Sequence, residues 1–291
     1  MKEDDPPHTH DLRTVLQQAT QRLSAAGVET PRREARLLLA HALGTDLGGL
    51  LLRDWIEKGA LAHFHTLLER RSLHEPLSYL TGRAGFWSMT LDVSPATLIP
   101  RADTETLVEA LLELRPDRTD ISTILDLGTG TGCLLLAALQ EYPQAWGLGV
   151  DLSPDAARLA LSNARHVGLS DRCNIICGNW AQAITGRFDV VFSNPPYIPH
   201  ADLSGLMPDV RDHEPHRALD GGDDGLVCYR ILMQSLPRLL KPRGLGIVEL
   251  GIGQDHSVPA LARDAGMDVV AIRPDLGGVG RALIVRRAGE P

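Results

Sequence analysis

The chain has 291 residues, 43% of them hydrophobic and 23% charged, with a formal net charge of −8. Such values suit one large or two modest globular domains and exclude a disordered, collagen-like or coiled-coil chain. No uncharged apolar run reaches the ~18–20 residues of a membrane-spanning helix, and four cysteines are too few for a disulfide scaffold.

The start, Met1 to Asp11, is acidic and bears histidines. It lacks the basic residues and apolar stretch of a secretory signal, so a cytoplasmic location is expected. Residues 14–26, 31–43 and 61–71 carry apolar residues at helical spacing, with Leu67 and Leu68 facing inward in the third. Thr30 stands before Pro31 as a cap candidate, and Gly27 and Gly44 fall where helices should stop. Residues 1–75 therefore read as a small helical bundle with no catalytic constellation. Over residues 76–97 the texture changes: Gly82, Gly85, Phe86, Trp87, Met89, Leu91 and Val93 suggest a short β-hairpin or an extended linker. Residues 98–291 form the next domain.

From residue 121 strands alternate with helices. Strands are expected at 121–127, 146–150, 174–177, 188–193, 244–250, 268–272 and 282–285, and helices at 133–142, 154–167, 225–240 and 255–265. That order implies an α/β domain with a mostly parallel sheet covered on both faces, whose ligands bind at the carboxyl ends of the strands. Cys133, Cys173, Cys177 and Cys228 form no Cys-x-x-Cys pair, and Cys173 and Cys177 read as buried thiols.

Four segments carry candidate chemistry. Asp126-Leu-Gly-Thr-Gly-Thr-Gly132 closes a strand and opens a helix, where glycines let the backbone turn and approach a ligand. Asp151 ends the next strand, and an acid there can accept from both hydroxyls of a ribose. The pair suggests a nucleoside cofactor, either S-adenosylmethionine or NAD. Asn194-Pro195-Pro196-Tyr197 follows the strand at 188–193. The Asn oxygen and a rigid proline carbonyl can accept from one NH₂ group, and Tyr197 can lie over a planar partner. Such a pocket selects a carboxamide or the exocyclic amine of adenine or cytosine. Residues 98–105 place Arg101, Asp103 and Glu105 at a helix entrance, with Thr104 as a capping option. The fourth segment, 210–222, contains His213, Glu214 and His216, but not at His-Glu-x-x-His spacing and with Pro215 among them, so it reads as a loop beside the site rather than a metal centre. No Gly-x-Ser-x-Gly element supports a serine hydrolase. Eleven basic and twelve acidic residues precede position 97, and eighteen and twenty-five follow it, which leaves neither part the basic excess of a nucleic-acid binder.

Taken in order, the segments Glu75-Pro-Leu-Ser-Tyr-Leu-Thr-Gly82, Leu98-Ile-Pro-Arg-Ala-Asp-Thr-Glu105, Ile124 to Gly132, Asn194 to Tyr197, Arg211 to Gly222 and Asp275-Leu-Gly-Gly-Val-Gly-Arg281 resemble the HemK/PrmC-type protein-glutamine methyltransferases over nearly the whole chain. The sequence departs from that family at Ala102, where a second proline is usual, and at Asn179, where an acid is common. The resemblance implies a helical docking domain followed by a Rossmann-like, seven-stranded S-adenosylmethionine-dependent methyltransferase domain. It implies methylation of the glutamine of the Gly-Gly-Gln tripeptide in class I peptide chain release factors, leaving S-adenosylhomocysteine. Gly128, Thr129, Gly130, Thr131, Gly132, Asp151, Trp180 and Asn194 would hold the cofactor, with Asp151 on the ribose and Trp180 beside the adenine. Asn194, Pro195, Pro196 and Tyr197 would hold the substrate glutamine. A monomer without a metal, a membrane anchor or stable nucleic acid is expected. The alternatives are a ribosomal-protein glutamine methyltransferase, a DNA adenine methyltransferase, and a silent scaffold or NAD-binding protein on the same fold.

Overall fold

The computed structural model describes residues 9–289; the acidic start, residues 1–8, lies outside them. The chain forms two compact units, Met1–Gly82 with Met207–His213, and Arg83–Leu206 with Glu214–Pro291.

The first unit is built on helices Leu12–Ala25, Pro31–Ala42 and Lys58–Ser72. Their apolar faces bury Leu23, Leu38, Leu39, Phe64 and Leu67 together. Asp11 caps the first helix by accepting from the Thr14 amide at 2.8 Å. Pro31 opens the second, and Gly27 and Gly44 adopt left-handed φ of 79° and 62° beyond the first two. Thr30 does not cap: its backbone is not extended, and its hydroxyl turns to Glu34 Oε1 at 3.4 Å instead of to a helix amide. Strands β1 (Thr9–Asp11) and β2 (Trp55–Glu57) pair antiparallel beside the helices. Buried Arg71 joins Glu34 at 2.5 Å and Asp209, from the returning segment, at 2.8 Å.

The second unit starts with the hairpin β3 (Arg83–Phe86) and β4 (Met89–Asp92). Its sheet contains β5 (Thr123–Leu127), β6 (Trp146–Asp151), β7 (Cys173–Cys177), β8 (Phe188–Ser193), β9 (Leu240–Glu249), β10 (Met267–Pro274) and β11 (Gly280–Arg287) in the order β10-β11-β9-β8-β5-β6-β7. Six strands run in one direction, and β11 alone is reversed, antiparallel to both β9 and β10. Alternation along each strand feeds two cores. Ile124, Val190, Phe192, Ile247 and Ile284 meet helices Glu105–Leu114, Cys133–Glu141 and Pro154–His166 on one face. Leu125, Val191, Val248 and Leu283 meet Val227–Leu239 and Ser257–Asp264 on the other. All seven expected strands are present. Cys173 is buried, but Cys177 is exposed, because it is the last residue of an edge strand and its thiol reaches only the Leu152 carbonyl.

Strand order reverses between β5 and β8, the place where ligands settle in such sheets. Register makes the point residue by residue. Asp126 pairs with Phe192 and Gly149, Ser193 with Val248, and Asp151 with Cys177. Continuing each strand by one or two residues sets Asp151, Gly128, Asn194 and Glu249 in a single row along the carboxyl edge.

Candidate active site

A cleft opens at that edge, with an empty volume of about 1030 Å³ including the solvent at its mouth. Gly128, Thr129, Gly130, Thr131, Asp151, Trp180, Asn194 and Pro196 line it. Gly132, Pro195 and Tyr197 stand behind the lining: Gly132 and Pro195 are buried, and Tyr197 is partly buried.

One wall is backbone. Gly128 and Gly130 hold φ of 77° and 56°, the left-handed region that costs glycine nothing. The loop is tied to β6, since the Gly128 and Thr129 amides donate to the Val150 carbonyl at 2.8 and 3.0 Å. Asp151 accepts from the Gly130 amide through Oδ2 at 2.9 Å and from the Ser153 amide through Oδ1 at 2.8 Å. Each of its oxygens keeps a lone pair for a ligand hydroxyl. Trp180, itself at a left-handed φ of 49°, places its ring edge beside Gly128.

Asp126 lies beneath this wall, 1% exposed. Thr129 Oγ1 donates to its Oδ2 at 2.6 Å, while Oδ1 has no hydrogen-bond partner. Burial pushes its carboxyl up to about 7; the Thr129 bond pulls down against that and the nearby Asp151 adds to it. A buried carboxylate with an open lone pair is suited to a cationic ligand group. Cys133 also lines the cleft, but burial pushes its thiol up to about 12, so it is no nucleophile near neutral pH.

The other wall is held by side chains. Asn194 Nδ2 donates to Thr104 Oγ1 at 3.2 Å, and the Thr104 hydroxyl donates to Glu249 Oε2 at 2.5 Å. The Tyr197 hydroxyl donates to Glu249 Oε1 at 3.3 Å. Burial pushes the Glu249 carboxyl up to about 7, opposed by the bonds from Thr104 and Tyr197 and by the charge of Arg281. Burial and the same carboxylate raise the Tyr197 phenol. Thr104, expected as a helix cap, makes no capping bond because its backbone is already helical and its hydroxyl is spent on Glu249.

Segment 214–222 joins the two sides. Glu214, 4% exposed, accepts from the Ile99 amide at 3.0 Å and pairs with Arg101, fixing the strip that carries Thr104. Arg217 donates to Ser153 Oγ at 3.0 Å and lines the cleft. Among the described residues no group of three or more His, Cys, Asp or Glu is placed to hold a metal ion, and no helix is long and apolar enough to cross a membrane.

Sequence reading left Asp126, Glu249, Glu214 and Arg217 without a role. Glu249 gave a usable signal: like Asp151, it is an acid closing an apolar run at the carboxyl end of a strand.

Residues 14–82 match a family model described as the PrmC N-terminal domain, and residues 102–207 one described as the methyltransferase small domain. The release factor glutamine methyltransferase of Rhodospirillum rubrum is 46% identical over 278 residues, covering 95% of this chain and 85% of that protein. The protein of the same name from Caulobacter vibrioides is 42% identical, covering 91% and 93%. A solved methyltransferase from Pyrococcus furiosus superposes with a TM-score of 0.50 at 17% identity, covering 68% of this chain and 88% of its own, and so shares the fold. With a methyltransferase fold, both family domains in order and such identity over nearly the full length, the chain belongs to the release factor glutamine methyltransferase family.

Proposed function

We propose that the protein transfers a methyl group from S-adenosylmethionine to the side-chain amide nitrogen of the glutamine in the Gly-Gly-Gln tripeptide of class I peptide chain release factors. The observation that supports this reading is the row of Asp151, Gly128 and Asn194 around one cleft, with a carboxylate and a side-chain amide on either side of the glycine loop.

The residues fit that cofactor. The unpartnered, buried Asp126 Oδ1 can accept from an ammonium, Asp151 from the ribose hydroxyls, and Trp180 offers an aromatic edge to the adenine. When bound, the cofactor supplies a methyl carbon activated by an adjacent sulfonium charge.

An amide nitrogen is a weak nucleophile, and what the chain contributes is placement. Asn194 Oδ1 and the Pro195 carbonyl accept the two amide hydrogens and aim the nitrogen's lone pair into the cleft. Charge that develops on the nitrogen then meets two acceptor oxygens already in place, and one of its two protons leaves to water after the transfer. Orientation of this kind accounts for ~7–11 kcal/mol of barrier in favourable cases. Tyr197 packs on the amide plane. Docking of the release factor falls to the first unit, and the net charge of −8 favours a protein over a nucleic acid as partner.

The test is mass spectrometry of an unmethylated release factor after incubation with this protein and S-adenosylmethionine. One methyl on the Gly-Gly-Gln glutamine is expected. No gain, with cofactor binding confirmed by calorimetry, overturns the substrate and leaves the fold.

A further inference from the structure

The substrate wall is secured from behind by two residues that the reaction as read above leaves idle. Glu249 is 2% exposed and closes β9 level with Asn194. Its two oxygens serve two different residues of the site, Oε2 taking the Thr104 hydroxyl and Oε1 the Tyr197 hydroxyl. Its backbone carbonyl accepts from the Tyr229 hydroxyl at 2.9 Å, so the carboxylate hangs from an anchored strand end.

A threonine hydroxyl carries one hydrogen. At Thr104 that hydrogen goes to the carboxylate, so toward Asn194 the Thr104 oxygen can only accept. Asn194 must therefore meet it with Nδ2, and the amide's other arm, Oδ1, takes the opposite direction. Turning the amide over would set two acceptor oxygens against each other and leave a donor unmatched. Glutamine and glutamate differ in the same respect: the first offers NH₂ hydrogens, the second only acceptors.

We propose that Thr104 and Glu249 are positioning residues that lock the Asn194 amide with its carbonyl oxygen toward the substrate, and thereby set the enzyme's preference for a glutamine over a glutamate side chain. The proposal deepens the function above and rests on Asn194 being the acceptor for the substrate amide.

Four variants test it in the full-length chain: Thr104→Val, which keeps the shape and removes the hydroxyl; Thr104→Ser, which restores it; Asn194→Ala; and the double variant Asn194→Ala with Thr104→Val. Turnover, KM for the release factor and cofactor affinity are measured, together with binding of release factors bearing glutamine or glutamate in the tripeptide. Thr104→Val is expected to lower kcat by about 10–10²-fold with cofactor affinity unchanged, and Thr104→Ser to recover most of that loss. The binding preference for glutamine over glutamate is expected to collapse in Thr104→Val, a change that loss of packing alone does not produce. Because Thr104 acts through Asn194, the double variant should be no slower than Asn194→Ala. Full kcat and an intact preference in Thr104→Val, or losses that multiply in the double variant, overturn the lock while leaving the function standing. Full turnover by Asn194→Ala overturns both. If Thr104→Val fails to fold, the same preference measured in Glu249→Gln decides, since a neutral amide there can present NH₂ to Thr104 and release the Asn194 amide to turn.

Discussion

The two walls of the cleft are made of different material. The wall around Gly128 and Asp151 is backbone, with amides and carbonyls of the glycine loop bonded to β6 and one carboxylate gathering two amides. The wall around Asn194 is a chain of side chains, Asn194 to Thr104 to Glu249 to Tyr197, drawn from three separate stretches of sequence. A backbone wall resists most side-chain substitutions and fails where its gathering acid is removed. A side-chain wall can lose its function at any link. The difference suits the proposed function, in which one wall holds the same small cofactor throughout and the other chooses one amide on a protein.

The sharpest break is expected at Asn194. Asn194→Ala should lower turnover by about 10²–10³-fold, as loss of one oriented polar group does elsewhere, with most of the cost in turnover rather than in the cofactor affinity measured by calorimetry. Lost cofactor affinity with full turnover at saturation would exchange the roles assigned to the two walls. Asp151→Ala should show the reverse. Hydrogen bonds to a charged group are worth ~1.5–3 kcal/mol, so S-adenosylmethionine affinity should fall by about 10–10²-fold with most of the cost in KM for the cofactor. Asp151→Asn, which keeps one acceptor oxygen, should lose less.

Between these lies a pH effect from Asp126. Burial holds its carboxyl at about 7 in the free protein, so it is largely protonated at pH 6 and ionised at pH 8. A cationic ligand group favours the ionised form and lowers that value in the complex. Affinity should therefore rise with pH, by up to about tenfold per unit below 7, and level off above. Calorimetry across that range checks the slope. Glu249 titrates near the same pH, so the control is Asp126→Asn, in which the slope should vanish. A slope that survives there belongs to another group.

The fold was legible because each strand is an apolar run closed by turn residues, and strand–helix alternation fixes a parallel sheet. The differences lie at ends. β9 begins at Leu240 rather than 244, running through Lys241, Pro242 and Arg243, the last at a left-handed φ of 63°, before the expected apolar core. The helix read from Gly225 begins at Val227, since Gly225 sits at φ 72° and cannot continue a right-handed turn. The placement of Gly128 to Thr131 and Asp151 around a cleft was legible because the glycine loop is contiguous and Asp151 ends the adjacent strand. The bond between Thr104 and Glu249 was not. The two are 145 residues apart, and each has an ordinary local meaning, a helix cap and a strand end. Only strand register sets Glu249 beside Asn194, and register is a property of the folded sheet.

The smallest effect concerns the backbone wall itself. Gly130 sits at φ 56°, where an L side chain costs roughly 1–2 kcal/mol. Its added Cβ would meet nothing closer than Thr97 Cβ at 3.9 Å, so conformation is the only charge against Gly130→Ala. The alanine keeps the amide that donates to Asp151 Oδ2. Gly130→Ala should therefore lower the thermal midpoint modestly while affinity for S-adenosylmethionine stays within a few-fold of the parent. Gly132→Ala should cost more stability, because its Cβ would stand 3.2 Å from Leu136 Cδ1 and 3.4 Å from Ala160 Cβ in addition to holding φ 84°. If Gly130→Ala folds normally but no longer binds the cofactor, the loop's contribution is space above Gly130 rather than its amide. The contrast between a backbone wall and a side-chain wall would then give way to one between an open wall and a bonded one.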